Sequence, residues 1–241
     1  EKCIFLKEII ISAPIISINE SFFNGCISLI QAIIPTSVIS IGNYAFNGCR
    51  SLKHITIPSS VISIGDRAFG NCEALNKIII PSSVTSIGDN AFNECKSLKT
   101  IEIPESVTSF GKNIFGGIEA IEILGDIKCI PSQLFEKCIF LKEIIISAPI
   151  ISIGKGAFNE CISLKQITIP SSLTTIENYA FKGCSSLMQF TIPKSVKSFG
   201  NYVFQNCKKL TQIIILSSIT SISDNSFDGC LSLKKITIPT S

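Results

Sequence analysis

The chain has 241 residues, of which 46% are hydrophobic, and carries a formal net charge of +3. Its length allows one or two domains with an ample core, and so small a charge gives no ground for nucleic-acid binding. The longest nearly apolar run, Ile9 to Ile18, is broken by Ser12, Pro14 and Ser17, and it falls short of the ~20 residues a membrane helix needs.

From the N-terminus, Cys3, Cys26, Cys49, Cys72 and Cys95 recur every 23 residues. After one short copy, Cys138, Cys161, Cys184, Cys207 and Cys230 resume that spacing. A fixed period of about 20–50 residues marks a solenoid, in which each rung packs mainly on its neighbours. One elongated domain over residues 1–241 is therefore expected, with about eleven rungs and a shortened repeat at about 118–137.

Each copy reads C-x-x-L-x-x-I-x-I-P-x-S-V-x-x-I-G-x-x-A-F-x-x, as in residues 49–71. Leu52, Ile55 and Ile57 end in a period of two, which predicts a short strand with one face inward. Pro58 ends it, because proline cannot donate to a ladder. Stacked copies would form a parallel sheet. Val61 and Ile64 return to the core, and Gly65 is expected to supply a backbone conformation that side chains resist. Asp66 is a candidate cap, and Ala68 and Phe69 fall in a turn or a single helical turn. Phe occupies that column from Phe23 to Phe227, which predicts one continuous stack of buried rings. A column of rings in a turn-rich segment argues against a β-helix with three sheets per turn.

The sixth copy departs from the pattern. Leu124 stands in the Pro position and Pro131 in the Gly position, which predicts a local irregularity of curvature without a domain boundary. Residues 1–18 and 136–153 are identical, at an offset of 135, so a block of six repeats has itself been duplicated. Both chain ends fall inside a repeat. A piece of a longer array is expected, with end-to-end self-association through uncapped ends. No signal peptide is visible, and a start at Glu1 and not Met leaves room for an N-terminal targeting segment that has been removed.

Ten of the eleven cysteines share one column, and no C-x-x-C pair occurs. Zinc ligands come in local clusters, whereas one Cys per rung fits a small buried hydrophobe. Neither a metal nor a cofactor is expected. Cys129 lies outside the column and is expected to be partly exposed.

Written out, L-x-x-I-x-I-P-x-S-V-x-x-I-G-x-x-A-F-x-x-C, as in residues 75–95, resembles the BspA-like (Treponema-type) leucine-rich repeat family over essentially the whole chain. Ser12 and Ser147 replace the Pro, Ala32 a core Ile, and Glu177 and Ser223 the Gly. The resemblance implies an α/β-type repeat fold. This is a right-handed leucine-rich-repeat solenoid with a parallel β-sheet on its concave face and short turns or helical turns elsewhere. It also implies a cell-surface or secreted protein that adheres to a host or matrix protein. Eleven cysteines without disulfide spacing point the other way, to a cytoplasmic scaffold that regulates a protein partner.

The outward columns of the strand are where a partner would dock. They give Lys53, His54, Thr56, Lys77, Lys99, Glu102, Glu122, Lys142, Lys165, Gln166 and Gln189 as the candidate protein-binding residues. Lys, Gln, Thr and Ile on one face suit a protein interface with apolar patches inside a polar rim. The alternative is a solvated sheet that lysines keep soluble. Glu102 and Glu122 are expected side by side on neighbouring rungs. The one histidine, His54, has no nucleophile or carboxylate arranged with it, so no catalytic set can be named and the chain reads as a non-enzyme. There is no Gly-rich phosphate loop. The sequon Asn19-Glu20-Ser21 supports secretion only weakly.

Overall fold

A computed structural model describes residues 3–216, 222–223 and 225–238, with Ser198 described in its backbone alone. Glu1, Lys2 and residues 239–241, where self-association was expected, lie outside the described residues. The chain divides into two compact units, residues 1–125 and 126–241, the division falling in the short repeat.

Each rung of the first unit contributes a strand from the L-x-x-I-x-I segment. These are β1 (Glu8–Ile10), β3 (Gln31–Ile33), β5 (His54–Ile55), β7 (Lys77–Ile79), β9 (Thr100–Glu102) and β11 (Ala120–Leu124). The S-I segment forms two-residue strands β2 (Ser17–Ile18), β4 (Ser40–Ile41), β6 (Ser63–Ile64), β8 (Ser86–Ile87) and β10 (Ser109–Phe110). In the second unit the larger strands are β13 (Glu143–Ile146), β15 (Gln166–Thr168), β17 (Gln189–Ile192), β19 (Gln212–Ile215) and β20 (Lys235–Thr237). The small ones are β12 (Cys129–Ile130), β14 (Ser152–Ile153), β16 (Thr175–Ile176) and β18 (Ser198–Phe199). Each unit is thus a parallel β-solenoid carrying two ladders. The second ladder was not anticipated, because its Ser-Ile pairs are too short to show an alternation.

Pairing among the described strands is parallel and, outside the short repeat, follows the 23-residue period, with Ser17, Ser40, Ser63, Ser86 and Ser109 stacked in one column. Hydrogen bonds also run between rungs through the turns. The Phe46 N–H donates to the Ala68 carbonyl and the Phe69 N–H to the Ala91 carbonyl. Rungs held this way put like on like. Phe46, Phe69 and Phe92 stack at 5.5 Å with interplanar angles of 3°, fully buried. Phe158 and Phe181 stack at 5.2 Å and 2°.

The Cys column does more than fill space. Cys72 Sγ donates to the Phe46 carbonyl at 3.2 Å and Cys95 Sγ to the Phe69 carbonyl at 3.1 Å, and Cys161, Cys184, Cys207 and Cys230 repeat the contact. The thiol satisfies a buried carbonyl that an alanine would leave without that donor.

Three local expectations are corrected. No helix occurs among the described residues, so the A-F segment is not a helical turn. A residue in the left-handed region interrupts it on every rung (Tyr44 at φ 57°, Arg67 at 50°, Asn90 at 56°), and that conformation does not propagate a right-handed helix. Gly65 does not sit at positive φ. It is glycine because a Cβ there would lie 2.7 Å from the Asn43 backbone nitrogen of the preceding rung. Asp66 does cap a backbone group, but between rungs, with its Oδ1 accepting from the Asp89 N–H at 2.8 Å.

Phe92→Ala is expected to cost about 3–5 kcal/mol of stability by leaving a ring-sized void in the stack, whereas exposed Phe5→Ala stays within about 0.5 kcal/mol. Gly88→Ala, whose Cβ would stand 2.6 Å from the Asp66 backbone nitrogen, should cost about 1–3 kcal/mol by forcing rungs apart. Urea titrations check all three, and equal midpoints for Phe92→Ala and Phe5→Ala would refute the stacked core.

Candidate functional site: an open seam in the strand face

Alternation on the larger strands turns every second residue outward. Lys53, His54, Thr56, Lys77, Lys99, Lys142, Lys165, Gln166 and Gln189 are all exposed, and Glu102 and Glu122 are half-buried. They do not form one continuous row. The ladder β1–β3–β5 ends at β5, and β7 opens a new one with β9 and β11. In the second unit, β13 and β15 are separated from β17, β19 and β20 in the same way.

At each interruption the core shows. Ile55 and Ile167, whose column mates Ile78, Ile101, Ile144 and Ile213 are buried, are both half-exposed. Beside Ile55 lies a depression of about 320 Å³, with Ile57, Ile78, Ile79 and Pro81 as its apolar part and His54, Thr56 and Lys77 as its polar part. Beside Ile167 a second, of about 430 Å³, includes Thr168, Gln189, Thr191 and Leu216. Ile33 and Ile79 extend the apolar surface next to the first depression, at 46% and 50% exposure.

The structure therefore gathers His54, Thr56 and Lys77 into one place and sets Gln189 in another. Lys142 and Lys165 are neighbours, joined through the Lys165 N–H and the Lys142 carbonyl at 2.8 Å, and Glu143 pairs with Gln166. The expectation about the carboxylates is corrected. Glu122 pairs with Thr100 and Glu102 with Leu124, so the two glutamates do not face each other. The short repeat slips its register by two residues, which keeps Ile121 and Ile123 inward because a strand repeats every two.

Sequence reasoning missed Ile55 and Ile57, since their alternation reads as core. One signal was available: both interruptions follow a rung that reads I-T-I-P-S-S, at residues 55–60 and 167–172.

Two parallel ladders per unit on a 23-residue period, with stacked Phe and Cys columns, describe a leucine-rich repeat of a particular kind. The family model described as "BspA type Leucine rich repeat region" matches residues 1–122 and 128–241. The chain belongs to the BspA-type leucine-rich repeat family. A leucine-rich repeat protein from Bacteroides ovatus superposes on this BspA-type chain with a TM-score of 0.69 and 32% identity, over 96% of this chain and 63% of its own. A leucine-rich repeat protein from Eubacterium ventriosum gives a TM-score of 0.53 and 27% identity, over 95% and 65% respectively. This BspA-type chain thus spans less than two thirds of either. No curated protein matches it.

Among the described residues no helix is long and apolar enough to cross a membrane, and no cluster of His, Cys, Asp or Glu is placed to hold a metal ion. None of the cysteines is joined in a disulfide. Burial pushes Cys49, Cys95 and Cys138 from the ordinary 9.0 up to about 12 and raises Cys72, Cys161 and Cys184 as well.

A thiol whose folded pKa is raised favours the folded state fully below the unfolded pKa and loses that contribution as pH climbs toward the folded value. Stability should therefore be flat up to about pH 8 and fall between pH 9 and 12, which urea midpoints at several pH values will show. At neutral pH, alkylation followed by mass spectrometry should mark exposed Cys3 and half-buried Cys129 and Cys230 well before the buried column thiols. Equal labelling of Cys72 and Cys129 would refute the buried ladder.

Proposed function

We propose that this chain is a non-enzymatic protein-binding module that adheres to a host or matrix protein at a cell surface through the outer face of its larger strands. The observation that carries this reading is the depression at the β5–β7 seam. An apolar floor of Ile55, Ile57 and Ile78, inside a rim of His54, Thr56 and Lys77, has the layout of an interface centre, with desolvated anchors surrounded by polar groups. Its volume suits one large side chain of a partner. Exposed Lys53, Lys77 and Lys99 on three successive rungs favour a partner segment carrying carboxylates, because complementary charge speeds encounter and fixes register. Membership of a repeat family supplies the scaffold but not the partner.

One specific observation favours the second reading, an intracellular scaffold. The buried thiols donate to backbone carbonyls and none is paired in a disulfide, a state that a reducing compartment preserves. Localising the full-length protein separates the two readings.

Ile79→Asp is expected to weaken binding to an immobilised matrix protein by about 30-fold or more, the size of a hot-spot loss, with no change in thermal stability at this exposed position. The triple charge reversal Lys53→Glu, Lys77→Glu and Lys99→Glu should slow association and remove its salt dependence. Surface plasmon resonance on the folded variants reads both. Unchanged binding in both variants would overturn the assignment of this face.

A further inference from the structure

The left-handed turn position that follows the column glycine by two residues carries a side chain on nearly every rung. It holds Ser21, Tyr44, Arg67, Asn90 and Asn113 in the first unit and Gln133, Tyr179, Tyr202 and Asn225 in the second. Gly156 is the exception. Crowding does not demand it, because a Cβ there would meet Asn159 Cβ and Gln133 Cγ at 3.7 Å, an ordinary contact. The absent side chain leaves a notch of about 240 Å³ within the second unit, lined by Gln133, Glu136, Lys155, Asn159, Tyr179 and Lys182.

Three features of the notch point to a ligand. Asn159 donates from Nδ2 to Glu136 Oε1 at 2.9 Å, yet its Oδ1 is shielded from solvent and accepts no hydrogen bond, alone among the buried side-chain N and O atoms described. A buried acceptor left unpaired is costly and calls for an explanation. Tyr179 forms one wall, held rigid by its stack on Tyr202 at 5.1 Å and 8°. Lys155 and Lys182 against Glu136 leave the lining with a net charge of +1 (two cations less one anion), and Lys182 Nζ stands 5.4 Å from the Tyr179 ring centre.

We propose that the notch around Gly156 binds a single acidic pyranose, with the sugar ring against Tyr179, a hydroxyl donating to Asn159 Oδ1 and the carboxylate held between Lys155 and Lys182. The negative face of an aromatic ring attracts the C–H groups of a sugar. The Asn159 amide turns about its Cβ–Cγ bond to meet the hydroxyl, a torsion with broad freedom. Ammonium groups bind carboxylate by charge-assisted hydrogen bonds. An apolar ligand would leave the lysines and the amide unpaired, and a bare phosphate would use neither the ring nor the amide acceptor. The notch is smaller than the ~300 Å³ at which pockets for drug-sized molecules begin, so it holds one ring and not a chain. The site shares no residue with the strand face and stands whether or not that face binds protein.

The test is an NMR titration of the isotope-labelled chain with glucuronic acid, and with glucose beside it, up to about 10 mM, the range that suits a millimolar dissociation constant. Amide shifts at Gly156, Asn159 and Tyr179 are expected, with glucose at least tenfold weaker. Gly156→Asn fills the notch with a residue that Asn90 and Asn113 show the turn accepts, and it should abolish the shifts at an unchanged melting temperature. Lys155→Gln with Lys182→Gln, at exposed Lys155 and half-buried Lys182, keeps the notch open and should erase the preference for glucuronic acid. Absence of shifts, shifts scattered away from the notch, their survival in a folded Gly156→Asn, or equal binding of both sugars to the wild-type chain would overturn the proposal.

Discussion

Everything in this molecule follows from the spacing that backbone hydrogen bonds impose between one rung and the next. Parallel ladders hold neighbours about 4.8 Å apart, and here hydrogen bonds run through the turns as well as the strands. At that distance two successive rungs must offer nearly the same cross-section. Rings then meet face to face with almost no tilt, as in Phe69 and Phe92. The column glycines answer the same demand, since at Gly65 and Gly88 any Cβ would collide with the backbone one rung earlier. The thiols answer it differently, each adding a second donor to a carbonyl of the neighbouring rung that already accepts one backbone N–H.

This constraint also says where binding can evolve. Core columns cannot vary without spreading the stack, so variety is confined to residues that the spacing leaves free. Two kinds of opening result. On the strand face, interruptions at β5–β7 and β15–β17 bring core isoleucines into reach of a partner. On the turns of the second unit, one missing side chain at Gly156 opens a polar notch beside a rigid aromatic wall. Both are local lapses in an otherwise uniform surface, and both join an apolar element to polar groups that fix orientation.

Much of this was legible in the sequence. The period, the inward Leu and Ile of the strand, the Phe stack and the buried Cys column follow from repeated spacing and from alternation. Outward residues such as Lys53, His54 and Lys77 were also placed on the correct face. What escaped has physical causes. Two-residue strands carry no period to detect. Left-handed turn residues such as Tyr44 and Glu94 look unremarkable because neither is Gly or Asn, although the column before Cys holds Gly or Asn in most copies. The role of Gly65 was misread because a glycine kept for close approach and one kept for positive φ look identical in a sequence. The seam depends on strand pairing and the notch on absent volume, neither of which the alternation of apolar residues reports.

The near-identity of the rungs has a consequence for heredity. A rung demands from its neighbours only a matching cross-section, so one more copy of 23 residues, or one fewer, leaves every remaining contact in kind. The identical stretches 1–18 and 136–153 show that a block of such copies has been duplicated within this chain. The fold tolerates such a duplication because each rung packs mainly on its neighbours. Lineages can thus change the reach of the array by whole rungs in single genetic steps, while point changes at the outward columns adjust what each rung touches.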